Sequence, residues 1–157
     1  AFAKSQLSAN INLPLKGNLF VSVKDADKHF VYEHVKNLKN LGFKISATKG
    51  TASFLKKKNI DCISIKKVKE GKPNIVDFIN KKKISLIFNT TEGTQAIKDS
   101  FTLRRSAIYN RIPYYTTMAG AKAVVEAIKE LSKKDLKISS LQKYFFKTKL
   151  NKVIKSV

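Results

Sequence analysis

Hydroxyl and ammonium side chains recur where this sequence passes from an apolar run into a polar turn. The fullest instance is Ala47-Thr48-Lys49-Gly50-Thr51. Apolar Ile45 and Ala47 lead into it, and a helical pattern over 51–56 follows. A strand that ends in hydroxyls and then turns into a helix has the outline of an anion site. The helix start offers unpaired backbone N–H groups and the positive end of its dipole. The two threonines add hydroxyl donors, and Gly50 permits a tight turn. The alternative is that Thr48 or Thr51 only caps a helix. The stretch is not a P-loop: the spacing of Gly, four residues, then Gly-Lys-Ser/Thr is absent, and Lys49 precedes Gly50.

The other apolar runs end in similar groups. After 19–23 come Lys24, Asp25 and Lys28, with Ser22 at the end of the run. After 61–65 come Lys66 and Lys67; after 84–88 come Asn89, Thr90, Thr91 and Gly93; after 112–115 come Thr116 and Thr117. Brought together, they would form a phosphate cradle, with Asn89 and Thr91 suited to a sugar or ring at its border. A general base there would have to be Asp25, Asp27 or Glu70. The only histidines, His29 and His34, fall on one helical stretch and are expected to face solvent. There is no Ser-His-acid set and no metal-ligand cluster. The pattern is that of a site that binds an anion without transforming it, with no catalytic and no metal-ligating residue.

The elements that position these groups alternate. Strands are expected at 19–23, 43–47, 61–65, 84–89 and 112–116, the last at an edge because of Pro113. Helices are expected at 28–41, 51–58, 75–79, 95–110 and 118–131. Phe30, Val31, Val35, Leu38 and Leu41 form one helical face, Gly42 stops that helix, and Phe101-Thr102 is a point of interruption in the fourth. This alternation predicts an α/β fold, a five-stranded parallel sheet covered on both faces in a three-layer sandwich. Ligands of such sheets bind beyond the carboxyl ends of the strands, where the cradle residues leave. Residues 1–16 read as a lead-in broken by Pro14. Residues 132–157 read as a basic amphipathic extension of one or two helices, packing on the sheet domain or on another subunit in preference to a membrane surface.

Composition narrows the function classes. The 157 residues carry a net charge of +21 and are 43% hydrophobic, which fits one globular domain. Such a charge invites a nucleic-acid reading. However, only Arg104, Arg105 and Arg111 among the 32 basic residues are arginine, and the lysines are spread over many segments. Bidentate recognition of phosphate and guanine favours arginine. No apolar run approaches a membrane span. The single cysteine, Cys62, lies in an apolar strand and reads as a core thiol, consistent with a reducing cytoplasm.

Six ordered motifs carry a family resemblance. They are Ser22-Val23-Lys24-Asp25-Ala26-Asp27-Lys28, Gly42-Phe43 with Ala47-Thr48-Lys49-Gly50-Thr51-Ala52, Val68-Lys69-Glu70-Gly71-Lys72-Pro73, Ile87-Phe88-Asn89-Thr90-Thr91-Glu92-Gly93, Asp99-Ser100 with Arg104-Arg105-Ser106-Ala107, and Tyr114-Tyr115-Thr116-Thr117. Over 17–131 the chain resembles the C-terminal allosteric domain of the carbamoyl-phosphate synthase large subunit, which has the methylglyoxal-synthase-like fold. Residues 1–6 resemble the end of the preceding ATP-grasp unit.

The resemblance implies binding of UMP or IMP. Lys28, Thr48, Thr51 and Lys67 would hold the phosphate, and Ser22, Asn89 and Thr91 would border the ribose and base. Tyr114 and Thr116 match residues that help bind ornithine at a seam with another domain. Relatives activated by N-acetylglutamate carry an aromatic where Lys67 stands, so a nucleotide effector is implied. The parent enzyme of arginine and pyrimidine biosynthesis would be an ATP-dependent cytoplasmic ligase using Mg or Mn, and K. It would pair this large chain with a small glutaminase subunit and associate through this domain, which itself needs no cofactor. Methylglyoxal synthase shares the fold and the cradle. It also needs a catalytic aspartate after the third strand and nearby histidines. Here that loop reads Val68-Lys69-Glu70-Gly71-Lys72-Pro73-Asn74, and Lys24 stands at a histidine position.

Overall fold

The computed structural model describes residues 12–156. The sheet is five-stranded and parallel: β1 (Asn18–Ser22), β2 (Lys44–Ala47), β3 (Ile63–Ser64), β4 (Leu86–Asn89) and β5 (Tyr114–Tyr115), in the order β3-β2-β1-β4-β5. Five helices accompany it: α1 (Lys28–Asn40), α2 (Lys49–Lys57), α3 (Ile75–Asn80), α4 (Thr94–Tyr109) and α5 (Met118–Lys155). Right-handed crossovers explain the layers. Steps outward from β1 to β2 and β3 lay α1 and α2 on one face. The return to β4 and on to β5 lays α3 and α4 on the other.

Alternation along the central strands feeds both faces. Leu19, Val21, Ile45, Leu86 and Phe88 pack with Val31, Val35 and Leu38 of α1, Leu55 of α2, and Val124, Val125 and Ile128 of α5. Phe20 and Ile87 point the other way, with Ile75 and Ile79 of α3 and Leu103 and Ala107 of α4. Two covered faces account for strands that read as continuous apolar runs. The register places Leu19 beside Ile45 on one side and Leu86 on the other, so the three central strands end level. Two glycines are required by geometry. Gly42, at φ +96°, ends the turn after α1. At Gly17 a Cβ would lie 2.1 Å from Ser85 Oγ.

Several expectations are corrected. β3 is two residues long, because Ile63 and Ser64 lie exposed at the sheet edge. Cys62, just before it, is buried as expected, and burial pushes its thiol up. β5 is likewise shorter than 112–116, and it does lie at an edge. α4 runs through Phe101-Thr102 without a break. Phe30 is exposed and lies off the buried α1 stripe of Val31, Val35 and Leu38. His34 is half-buried on α1 and does not face solvent freely. Burial is the main cause that lowers its pKa, with Lys122 and Lys129 of α5 adding to it against Glu126 and Glu33.

The largest correction is at the C-terminus. Residues 132–155 do not fold back on the sheet. They continue α5, which runs 38 residues, about 57 Å at the usual rise. After Gly120 the sequence has no Gly or Pro to stop a helix, and it is rich in Lys, Leu and Ala, which favour one. Burial ends at Ile128, and Leu136, Leu141, Phe145, Phe146 and Leu150 are exposed. The expected lead-in falls largely on residues 1–11, outside the described residues.

Candidate functional site

The strand order reverses between β1 and β4, and a crevice opens beyond their carboxyl ends, as it does in other open α/β sheets. It holds a cavity of about 490 Å³. Each expected strand exit contributes except that of β5. β1 brings Ser22, Lys24 and Asp25; β2 brings Thr48; the loop after β3 brings Lys67, Lys69 and Glu70; β4 brings Asn89, Thr90 and Thr91. Phe20, Ile75 and Leu103 form an apolar part of the wall.

The opening motif takes a definite form here. Thr48 stands at the N-cap of α2 in extended conformation (φ −65°, ψ 155°), yet its side chain makes no capping bond. The Thr48 hydroxyl instead bonds Thr51 Oγ1 at 3.3 Å. Thr48 therefore leaves the first-turn amides of α2 to other partners, at the positive end of the helix. Thr51 is buried one turn further in. Its oxygen accepts the Val23 N–H at 3.4 Å, tying α2 to the end of β1. Gly50 is helical and makes no tight turn, which corrects the sequence reading. A Cβ there would meet Lys28 Nζ at 3.7 Å, an ordinary contact, so Lys28 lies over the helix start without requiring a glycine.

Of the residues expected to hold a phosphate, Thr48 and Lys67 line the cavity, while Lys28 and Thr51 are not on its wall. Lys28 is paired with Asp25 at 2.6 Å, and that bond holds the exposed Asp25 carboxyl below its usual range. Ser22, Asn89 and Thr91, expected at the ribose and base, all line the cavity. Of Tyr114 and Thr116, Thr116 is exposed beyond β5 and does not line this cavity. Tyr114 reaches the cavity wall, accepting a bond from Asn89 Nδ2 at 2.5 Å. Of the carboxylates considered as bases, Asp25 is tied to Lys28, Asp27 is off the wall, and Glu70 accepts the Lys67 N–H at 2.8 Å.

Sequence reasoning missed the roof of the site. Lys69, after β3, pairs with Asp99 of α4 at 2.5 Å, and both line the cavity. Lys69 thereby holds the half-buried Asp99 carboxyl below its usual range, with Gln95 helping. Ser100 stands beside it. The signal was present in the helical row Ala96, Asp99/Ser100, Leu103 and Ala107, whose C-terminal members are core and whose N-terminal members overhang the strand ends. Among the described residues no group of three or more His, Cys, Asp and Glu is placed to hold a metal ion. No described helix is long and apolar enough to cross a membrane.

Residues 31–116 match the MGS-like domain family. The chain belongs to that family. The MGS-like domain has close relatives by sequence. It is 48% identical over 145 residues to the carbamoyl phosphate synthase large chain of Mesorhizobium japonicum, covering 92% of this chain and 12% of the relative. It is 44% identical over 150 residues to the carbamoyl phosphate synthase large chain, C-terminal section, of Aquifex aeolicus, covering 92% of this chain and 28% of that one. The chain thus spans only 12% of the full-length relative it matches. Among solved structures, methylglyoxal synthase from Elizabethkingia anophelis superposes with a TM-score of 0.60 over 72% of this chain and 79% of that chain. At 15% identity, that likeness concerns the fold alone.

Proposed function

We propose that this chain is the regulatory domain of a carbamoyl-phosphate synthase large chain and that its cavity binds a nucleotide monophosphate, UMP or IMP. The observation that carries the reading is the cavity at the β1/β4 switch point. There Thr48, at the uncapped start of α2, lines the same cavity as Lys24 and Lys67. Two of the three lysines on the wall, Lys24 and Lys67, have no ion-pair partner among the described residues. Such a wall suits a dianion. The ribose and base would extend toward Ser22, Asn89 and Thr91. Lys28 would join the phosphate by leaving Asp25, and Thr51 by way of Thr48.

The whole enzyme would be an ATP-dependent ligase of arginine and pyrimidine biosynthesis, acting in the cytoplasm with a small glutaminase subunit. ATP, its Mg or Mn, and K would be held by other segments of that enzyme. Ornithine would engage Tyr114 and Thr116 at a seam with the rest of the large chain, and this domain would contribute to self-association. Regulation would follow from linkage: a nucleotide that binds two arrangements of the enzyme unequally shifts it between them. A lyase reading would need a base on the wall: Asp25, Glu70 and Asp99 are each held by a partner, which leaves Glu92 as its candidate. Calorimetric titration of UMP into the intact protein tests the proposal. Saturable binding that weakens in Thr48→Val supports it, and no heat at millimolar UMP refutes it.

A further inference from the structure

We propose that Tyr114 is a positioning residue of this cavity: its phenol fixes the side-chain amide of Asn89 so that the amide carbonyl meets a hydrogen-bond donor on the ligand. The inference rests on the reading of the cavity as a nucleotide site and names what that site demands beside the phosphate, a hydroxyl or N–H donor. Tyr114 pairs with Ile87 across β4 and β5, and Asn89 lies two residues beyond Ile87, on the same face of the sheet. That diagonal brings the phenol to the amide, and Asn89 Nδ2 donates to Tyr114 Oη at 2.5 Å.

Asn89 is buried and lines the cavity. Its Oδ1 takes part in no hydrogen bond among the described residues, although no sealed side-chain polar atom there lacks a partner. The oxygen therefore keeps contact with the open space that Asn89 lines. Tyr114 is itself held in place. The Arg104 guanidinium lies 5.9 Å from its ring centroid. Burial raises the phenol pKa against the opposing effects of Asn89, Arg104 and Ser100, so the group stays protonated at neutral pH. An asparagine amide has ends of opposite polarity. With one end bonded to the phenol, its orientation is chosen before the ligand arrives. Without the phenol it is free to turn over, and a donor on the ligand would meet N–H in place of C=O.

The test compares ligands as well as variants, using the intact protein that carries this chain. UMP and inorganic phosphate are titrated into wild type, Tyr114→Phe, Asn89→Ala and the double variant. Each single change is expected to weaken UMP about tenfold, the size of one buried hydrogen bond. The double variant is expected to be no worse than either single one, because both remove the same contact. Phosphate affinity should stay within about twofold of wild type, since the phosphate lies at the other end of the cavity. Arg104→Ala, which loosens the Tyr114 ring from outside the cavity, should weaken UMP severalfold and leave phosphate unchanged. It serves if Tyr114→Phe folds poorly. Unchanged UMP affinity in Tyr114→Phe, or equal loss of UMP and phosphate, overturns the inference while leaving the nucleotide reading intact. A wild type that binds no UMP overturns both.

Discussion

Replacing Lys67 by alanine isolates the electrostatic part of the proposed site. Lys67 is exposed at the cavity rim and has no ion-pair partner among the described residues, whereas Lys69 is held by Asp99. A unit charge pair at about 4 Å is worth about 1 kcal/mol in bulk water and about 4 kcal/mol at the effective dielectric of a protein surface. The exposure of Lys67 puts it near the lower figure, and a dianionic phosphate roughly doubles that. Ordering the lysine side chain offsets about 0.5–1 kcal/mol of this. The net is about 1–1.5 kcal/mol, or roughly five- to tenfold in affinity. Calorimetry with UMP and with uridine reads it. The UMP loss should shrink between about 0.1 M and about 1 M salt, as the Debye length falls from about 10 Å to about 3 Å. Uridine, without a phosphate, should bind the variant and wild type alike. Lys56→Ala, near the far end of α2, should change nothing. An unchanged UMP affinity, or an equal loss for uridine, would refute the reasoning.

Three more outcomes follow from the same geometry. Asp25→Asn removes the carboxylate that holds Lys28, so UMP should bind about two- to fivefold tighter by calorimetry; weaker binding would mean that Asp25 itself orders the ligand. His34 has a pKa below its ordinary 6.5, chiefly through burial, so the unfolded chain takes up its proton first. The stability this residue contributes is present above that value and lost as pH falls through its folded pKa. Urea unfolding at about pH 7.5 and about pH 5 should show the loss, and His34→Gln should reduce it. Ending the chain after Leu131 removes a helix segment that is mostly exposed, so unfolding stability should change by less than about 1 kcal/mol. A loss above about 2 kcal/mol would show that the segment packs on the domain after all.

The layered fold was legible because its central strands are apolar on both faces and its helices carry clear 3.6-residue stripes, as with Val31, Val35 and Leu38. The short edge strands were read too long. Ile63 looks like core by type, but an edge position leaves it exposed. The path of α5 was hidden for a related reason: its exposed leucines and phenylalanines read as packing residues, and nothing in a sequence says where the sheet beneath a helix runs out. At the site, the hydroxyls and lysines at strand ends could be read because parallel strands must gather their exits at one edge. Two links could not. Whether Lys28 faces the cavity depends on Asp25, three residues away, and the Tyr114–Asn89 bond depends on the β4–β5 register. Both are set by side-chain geometry that spacing alone leaves open.

The central claim is that the crevice above β1 and β4 is an effector site for a nucleotide monophosphate. Titration of UMP into the intact protein, wild type beside Thr48→Val, tests it most directly. One saturable site per chain is expected, with affinity reduced several-fold in the variant as one hydrogen bond to the phosphate is lost. Absence of binding at millimolar UMP, or identical binding by the two proteins, would contradict it.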